Sequence, residues 1–342
     1  MNDKDDFLVS VLMTSYNHEK YIRQALDSVL NQRTTFKFEI IIHDDASTDN
    51  SAEIIMEYKN KYPNIIRAIL QNENQYSQNV DILSKYMFPS VKGKYIAICE
   101  CDDYWIDDYK LQKQAEILEA NPQYSATVHN CGYVDANNEE LFADNYRKLY
   151  GPFKEHIQSL KFYWRYPSVY PGQTASHFFR SYIFLNRDEN EIQAYSNIRA
   201  NGDVKRKLMF FLHGDVYYSD DVMSNHRIVK SGGDSWTART IDKNLSGFVF
   251  VSEYDLKSFA QRIYNVKIKN YYKLFRVGLS SLLKYFINRK SDDRKAMQDI
   301  KTVIPSFKKF LILLFIYGIL SIPTLVIILF KLDKDIMIKD NE

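Results

Sequence analysis

Little in this 342-residue chain is one-sided. Its 45 Lys and Arg stand against 43 Asp and Glu, a formal net charge of +2. That near-balance removes the bulk positive field by which a nucleic-acid binder is recognised, so no nucleic-acid partner is expected. Cysteine is scarce: Cys99, Cys101 and Cys131 are too few and too irregularly spaced for a disulfide framework or a four-ligand zinc site. A reducing compartment and core thiols are expected instead. The opening residues, MNDKDDFLVS, are acidic and hold no apolar run, the pattern of a chain without a secretory signal whose main body stays in the cytosol. Internal repeats and low-complexity tracts are lacking too. What remains is length enough for one large domain or two smaller ones.

From residue 7 to about 130, strand-like and helix-like patterns alternate. FLVSVLMT is followed by a helical spacing of Ile22, Ala25, Leu26 and Val29, then FEIII, then a helix from about Asp49 with Ile54, Ile55 and Tyr58. IIRAIL, a short helix near 80–87, KYIAIC, a helix over 108–119 and YSATVH continue the alternation. This predicts an α/β fold with a mostly parallel, Rossmann-like sheet flanked by helices. Ligands of such sheets bind beyond the carboxyl ends of the strands, where TSYN, HDDASTD and ECDD fall here.

Residues 140–240 are rich in Tyr, Phe and Trp and too mixed in period to assign, though NGDVKRKLMFFL and HRIVKSGGDSW stand out. From Lys257 to Lys309, fourteen Lys and Arg face only Asp292, Asp293 and Asp299, with apolar residues between them. A basic amphipathic stretch reads as a segment for an anionic membrane surface. Phe310 to Phe330 is then 21 residues without a charge, containing Pro323 and fenced by Lys308, Lys309 and Lys331. As a helix it is about 31 Å long at roughly 1.5 Å per residue, enough to span or re-enter a hydrocarbon core.

YIAICECDDYW drives an apolar strand into Glu100, Asp102 and Asp103. A divalent cation held by one or two carboxylates together with phosphate oxygens neutralises a diphosphate leaving group, and these carboxylates are placed for that task. The competing reading, a solvated acidic loop, is weakened by the strand before them, Trp105 after them and the helix beyond.

VSVLMTSYNHEKYIRQALDSVLNQ, EIIIHDDASTDNS and GKYIAICECDDYWIDDYKLQKQ together resemble, in order and spacing, the three N-terminal motifs of the inverting family 2 glycosyltransferases of the GT-A fold, over residues 8–135. Glu100 stands where that family commonly has the first Asp of D-x-D-D. The resemblance implies metal binding by Glu100, Asp102 and Asp103 with Mn²⁺ or Mg²⁺. It implies nucleotide-sugar contacts from Thr14, Tyr16, Asn17, Glu19, Asp44, Asp45, Asp102 and Arg227. Tyr16 would offer a stacking face, and Asp45 rather than Asp44 would accept a hydrogen bond from a uracil ring. The run around Asp45 is also a good helix cap through Ser47, Thr48 and Asp49. The family's catalytic base would be Asp203 of the Gly202–Asp203 pair, with Asp215 as the competitor and helix capping as the bland alternative. MSNHRIVKSGGDSW resembles the family's later Y-R-x-H-x-x-G phrase, with Arg227 and the Gly232–Gly233 loop retained, His226 in place of Tyr and Val229 where a His often stands. Trp236 would stack on an acceptor sugar or be buried.

The expected organisation is a GT-A domain over 1–240, a basic helical membrane-surface region over 241–309, a transmembrane or re-entrant helix over 310–330 and a polar tail over 331–342. The expected function is metal-dependent, inverting transfer of a sugar from a nucleotide-sugar, a UDP-sugar, to a growing lipid-linked glycan of a bacterial surface polysaccharide or capsule, on the cytoplasmic face of the membrane. The rivals are a non-catalytic scaffold with the same fold and a transferase acting on protein.

Overall fold

The computed structural model describes residues 7–141, 156–165, 172–229, 243–267, 272–287 and 290–304. Two compact units divide the chain, 1–197 with 201–241 and 198–200 with 242–342. Gly232, Gly233, Trp236 and the apolar run 310–330 lie outside the described residues.

The first unit is built on β1 (Val9–Ser15), β2 (Phe38–Asp44), β3 (Ile66–Leu70) and β4 (Tyr95–Ile98), in spatial order β3-β2-β1-β4 and all parallel. β1, β2 and β4 are buried along nearly their whole length, which is why they read as continuous apolar runs rather than alternating ones. α1 (Ile22–Leu30), α2 (Ser51–Lys61) and α3 (Lys110–Ala120) cover the sheet. The stripe Ile22, Ala25, Leu26 and Val29 is buried as its spacing predicts. Gly93 admits β4 to the sheet: a Cβ there would stand 2.5 Å from the backbone nitrogen of Ser10.

Beyond β4 the sheet changes character. β5 (Tyr104–Trp105), β6 (Tyr124–Val134), β7 (Ile157–Gln158), β8 (Phe178–Arg180) and β9 (Asp215–Arg227) extend it in the order β4-β8-β6-β9-β5, with β7 also on β9. β8 is antiparallel to β4 and β6, β5 and β7 are antiparallel to β9, and β6 and β9 are parallel over a long register. The sheet is therefore parallel through its first four strands and mixed thereafter. α4 (Gly202–His213) precedes β9, and Gly214 at φ 157° makes the turn between them.

The second unit consists, among the described residues, of α5 (Ser246–Tyr264), α6 (Tyr272–Ile287) and α7 (Ser291–Val303), packed around Phe250, Val251, Leu274, Met297 and Ile300. Gly247 lets α5 and α7 approach closely, since a Cβ there would meet Ala296 at 2.5 Å. The basic residues are not one solvated face: Lys257 is buried with its Nζ 3.6 Å from Glu253. No helix among the described residues is long and apolar enough to cross a membrane.

Candidate active site

The end of β1 ties two neighbouring strand ends together. Cys101 N donates to Thr14 O at 3.0 Å, and Asp45 N donates to Ser15 O at 3.0 Å. The turn after β1 is then laced to the loop after β2. Asn17, at φ 56°, receives Thr48 N on its Oδ1 at 2.8 Å and donates its own N–H to Ser47 Oγ at 2.9 Å. Glu19 donates its N–H to Asp49 Oδ2 at 2.9 Å and accepts from Asn50 Nδ2 at 2.8 Å. Asn17 and Glu19, expected as nucleotide contacts, thus serve in this arrangement as braces between two loops.

Asp44 and Asp45 are both buried. Asp44 accepts from Ser47 N at 2.9 Å, while Asp45 accepts from Gln75 N at 2.8 Å and Tyr76 N at 3.0 Å, capping the turn that follows β3. Each carboxylate oxygen has a second lone pair, so these bonds leave Asp45 able to accept one more donor. Thr14 and Tyr16 are half-buried beside them.

Glu100, Asp102 and Asp103 differ sharply in what they touch. Asp103 is 1% exposed, receives Arg227 N at 2.9 Å and lies 3.1 Å from His226 Nδ1 through both oxygens. Asp102 keeps 24% of its side chain exposed and has His18 Nε2 at 3.9 Å. Burial, then the neighbouring Asp102 and Asp103 charges, push the Glu100 carboxyl up to about 7. Asp102 is also raised, by burial and by Asp103, against His18. Burial disfavours the charged His226 ring, but Asp103, Asp102 and Glu100 overcome it and raise its pKa to about 9. The His226 ring is clamped on Asp103, a contact that favours its charged form.

Arg227 is not open to a phosphate as the later motif implies. It is 3% exposed, and its guanidinium donates to Asp102 O at 2.9 Å, Asp135 O at 2.9 Å, Asn138 Oδ1 at 2.8 Å and Gln24 Oε1 at 3.0 Å. Its donors are spent on holding the acidic turn.

No group of three His, Cys, Asp or Glu converges on one point among the described residues. A metal held wholly by protein side chains does not fit. A cation held by one or two carboxylates and completed by phosphate oxygens does fit, because Glu100 and Asp102 crowd negative charge that nothing around them fully neutralises. Asp103 is already committed to His226 and Arg227.

Asp203 opens α4, paired with Lys207 at 3.2 Å. Burial raises its pKa, but Lys207 and Arg206 reverse this and hold it below the usual carboxylate range. The Arg206 charge lowers the pKa of both Asp203 and Glu100. Asp215 lies at the start of the 13-residue β9, about 40 Å at roughly 3.3 Å per residue from Arg227 beside the acidic turn. That separation removes Asp215 as a base. His18 and Arg206 were not singled out by sequence; their only signal was position, two residues beyond Tyr16 and three beyond Asp203.

Residues 10–188, just over half of the chain, match glycosyl transferase family 2, and the chain belongs to that family. TuaG of Bacillus subtilis, a glycosyltransferase assigned to teichuronic acid biosynthesis, is 35% identical over 136 residues, 40% of this chain and 52% of TuaG. WfgD of Escherichia coli, named as a UDP-Glc:α-D-GlcNAc-diphosphoundecaprenol β-1,3-glucosyltransferase, is 31% identical over 117 residues, 34% of this chain and 43% of WfgD. The chain spans about half or less of the length of these curated relatives. Residues 1–349 of TarS from S. aureus share the fold, at a TM-score of 0.56 and 14% identity, over 87% of this chain and 81% of that one. The mixed α/β sheet with flanking helices is the GT-A fold.

Proposed function

Starting from membership of glycosyl transferase family 2, we propose that this protein transfers a sugar from a nucleotide-sugar, a UDP-sugar, to a growing lipid-linked glycan in bacterial surface polysaccharide synthesis. The observation that carries the reading is the acidic turn at the end of β4, with Glu100 and Asp102 left charge-crowded while Asp103, His226 and Arg227 fix its shape. WfgD, by its name, uses a UDP-sugar and a diphosphoundecaprenol-linked acceptor, which supports the donor and acceptor classes.

Thr14 and Tyr16 frame the nucleoside, and Asp45 offers its remaining lone pairs to the base. Glu100 and Asp102 would hold Mn²⁺ or Mg²⁺, which when bound supplies positive charge to the departing diphosphate. Asp203 takes the proton of the acceptor hydroxyl as that oxygen bonds to the anomeric carbon from the face opposite the diphosphate. The bond from the anomeric carbon to the diphosphate oxygen breaks, its electron pair leaves with the nucleoside diphosphate, and the configuration inverts. Lys207 keeps Asp203 ionised and therefore ready as a base. The basic residues from 262 to 309 and the apolar run 310–330 would hold the enzyme at the cytosolic face of an anionic membrane, where each basic residue near the surface adds on the order of 1 kcal/mol.

The test is release of nucleoside diphosphate by the full chain across a panel of nucleotide-sugars, with Mn²⁺, with Mg²⁺ and with EDTA. Metal-dependent release with a UDP-sugar and a lipid-linked acceptor is expected. Absence of release from every donor and acceptor would favour a scaffold, and full activity in EDTA would remove the metal.

A further inference from the structure

Arg206 is the fifth residue of α4, three residues after Asp203, and is only 6% exposed. Its Nε is buried with no hydrogen-bond partner. Its neighbours on the helix are served: Lys205 has Asp81 at 3.5 Å and Lys207 has Asp203 at 3.2 Å. A guanidinium cannot shed its proton to escape burial, as a lysine can, and it carries five N–H donors in a planar fork. A buried charge left this way is strongly unfavourable unless something completes it.

The surroundings point to a negative group. Gly202 brings the fork back against the start of α4, since a Cβ there would lie 3.2 Å from Arg206 Nη1. The first turn of this 12-residue helix also presents backbone N–H groups and the positive end of its dipole. Asp203 turns to Lys207, and Glu100 feels the Arg206 charge without bonding to it.

We propose that Arg206 and the first turn of α4 bind an oxyanion of the substrates, either a phosphate or a sugar carboxylate. The assignment rests on the reading of Glu100 and Asp203 as the donor and acceptor sides of one site. A phosphate would come from the donor or from a diphosphate-linked acceptor, a carboxylate from a uronic-acid sugar.

Thermal melting and calorimetry of the full chain separate these sources and test the site without turnover. Wild type is compared with Arg206→Gln, Arg206→Met and Arg206→Lys, alone and with pyrophosphate, UDP, glucuronate, or neutral uridine as control. Without ligand, the Gln and Met variants should melt at or above wild type, because they remove a buried charge whose Nε has no hydrogen-bond partner. Stabilisation of wild type by pyrophosphate marks the phosphate source, and by glucuronate the carboxylate source. The effective anion should bind the Gln variant about tenfold more weakly, with partial recovery in the Lys variant and no change for uridine. Wild-type anion affinity in all three variants, or no anion bound by wild type, overturns the site. Gln and Met variants that melt well below wild type or fail to fold show a structural ion and overturn it as well. Because binding is read directly, loss of this site would leave sugar transfer standing, and absence of transfer would leave this site standing.

Discussion

Along β3-β2-β1-β4, polar side chains at the strand ends are bound to one another across loops, Asn17 to Thr48, Glu19 to Asn50 and Asp45 to the turn after β3. Buried polar atoms without partners among the described residues occur in both halves, Ser15 Oγ and His43 Nδ1 on β1 and β2, and both amide atoms of Gln158 on β7 with the Nε of Arg206 on α4. A group bonded within the chain holds its place whether or not a substrate arrives. A group left without a partner is stabilised when one does. The loops of the parallel half are thus braced by the chain itself, while the Nε of Arg206 in the mixed half is left for another group to complete.

That contrast breaks most visibly at Asp203. Asp203→Asn should lower the transfer rate by about a thousandfold while UDP affinity by calorimetry stays at the wild-type level, because the carboxylate acts on the acceptor. A mutant still transferring at near wild-type rate would place the base elsewhere. Asp102→Asn should cost on the order of a hundredfold in rate with little change in melting temperature, since Asp102 stands partly open. Asp103→Asn is the sharper comparison, two carboxylates one residue apart. Asp103 holds His226 and Arg227 N, so its loss should cost about 3 kcal/mol of stability in denaturant unfolding. Equal melting of the Asp102 and Asp103 variants would erase the distinction drawn between them.

In the parallel half, Asn17→Ala should cost about 1 kcal/mol through loss of the hydrogen bond from Thr48 N to Oδ1 and through its left-handed backbone. The smallest effect is expected at Lys110, whose Nζ is buried against Gln114 at 2.8 Å and over the Trp105 ring at 4.0 Å. Burial lowers its pKa to about 7 from 10.5. Between these values the unfolded chain binds the proton and the folded one does not, so this residue makes stability rise with pH from about 7 toward 10.5. Lys110→Met should flatten that slope; an unchanged slope would mean the lysine escapes burial.

The first four strands were legible because parallel strands buried on both faces keep an apolar run that stops abruptly at polar residues. The α/β alternation and the acidic turn followed from that pattern. β9 was not legible: Asp215–Arg227 contains Asp220, Asp221, Asn225 and His226, polar residues that read as loop until β6 and β5 pair with them. YSATVH continues as strand to Val134 through Asn130 and Gly132 for the same reason. Arg227 and Arg206 could not be told apart by sequence. The guanidinium of the first makes four hydrogen bonds to residues remote along the chain, while the Nε of the second is buried without a partner, a difference made only by folding.

The Arg227 guanidinium reaches Gln24, Asp102, Asp135 and Asn138, which lie 203, 125, 92 and 89 residues earlier in the chain. On the ribosome, the parallel strands and their loops are therefore synthesised long before the residue that locks the acidic turn. A nascent chain stalled before Arg227 emerges should hold β1 to β4 yet leave Asp102 and Asp103 unfastened, and the turn should become protected only when β9 is out. Protection of Asp102 and Asp103 amides in chains ending before Arg227 would show that the turn sets without its lock. The order of synthesis thus makes competence for catalysis the last property the first unit acquires.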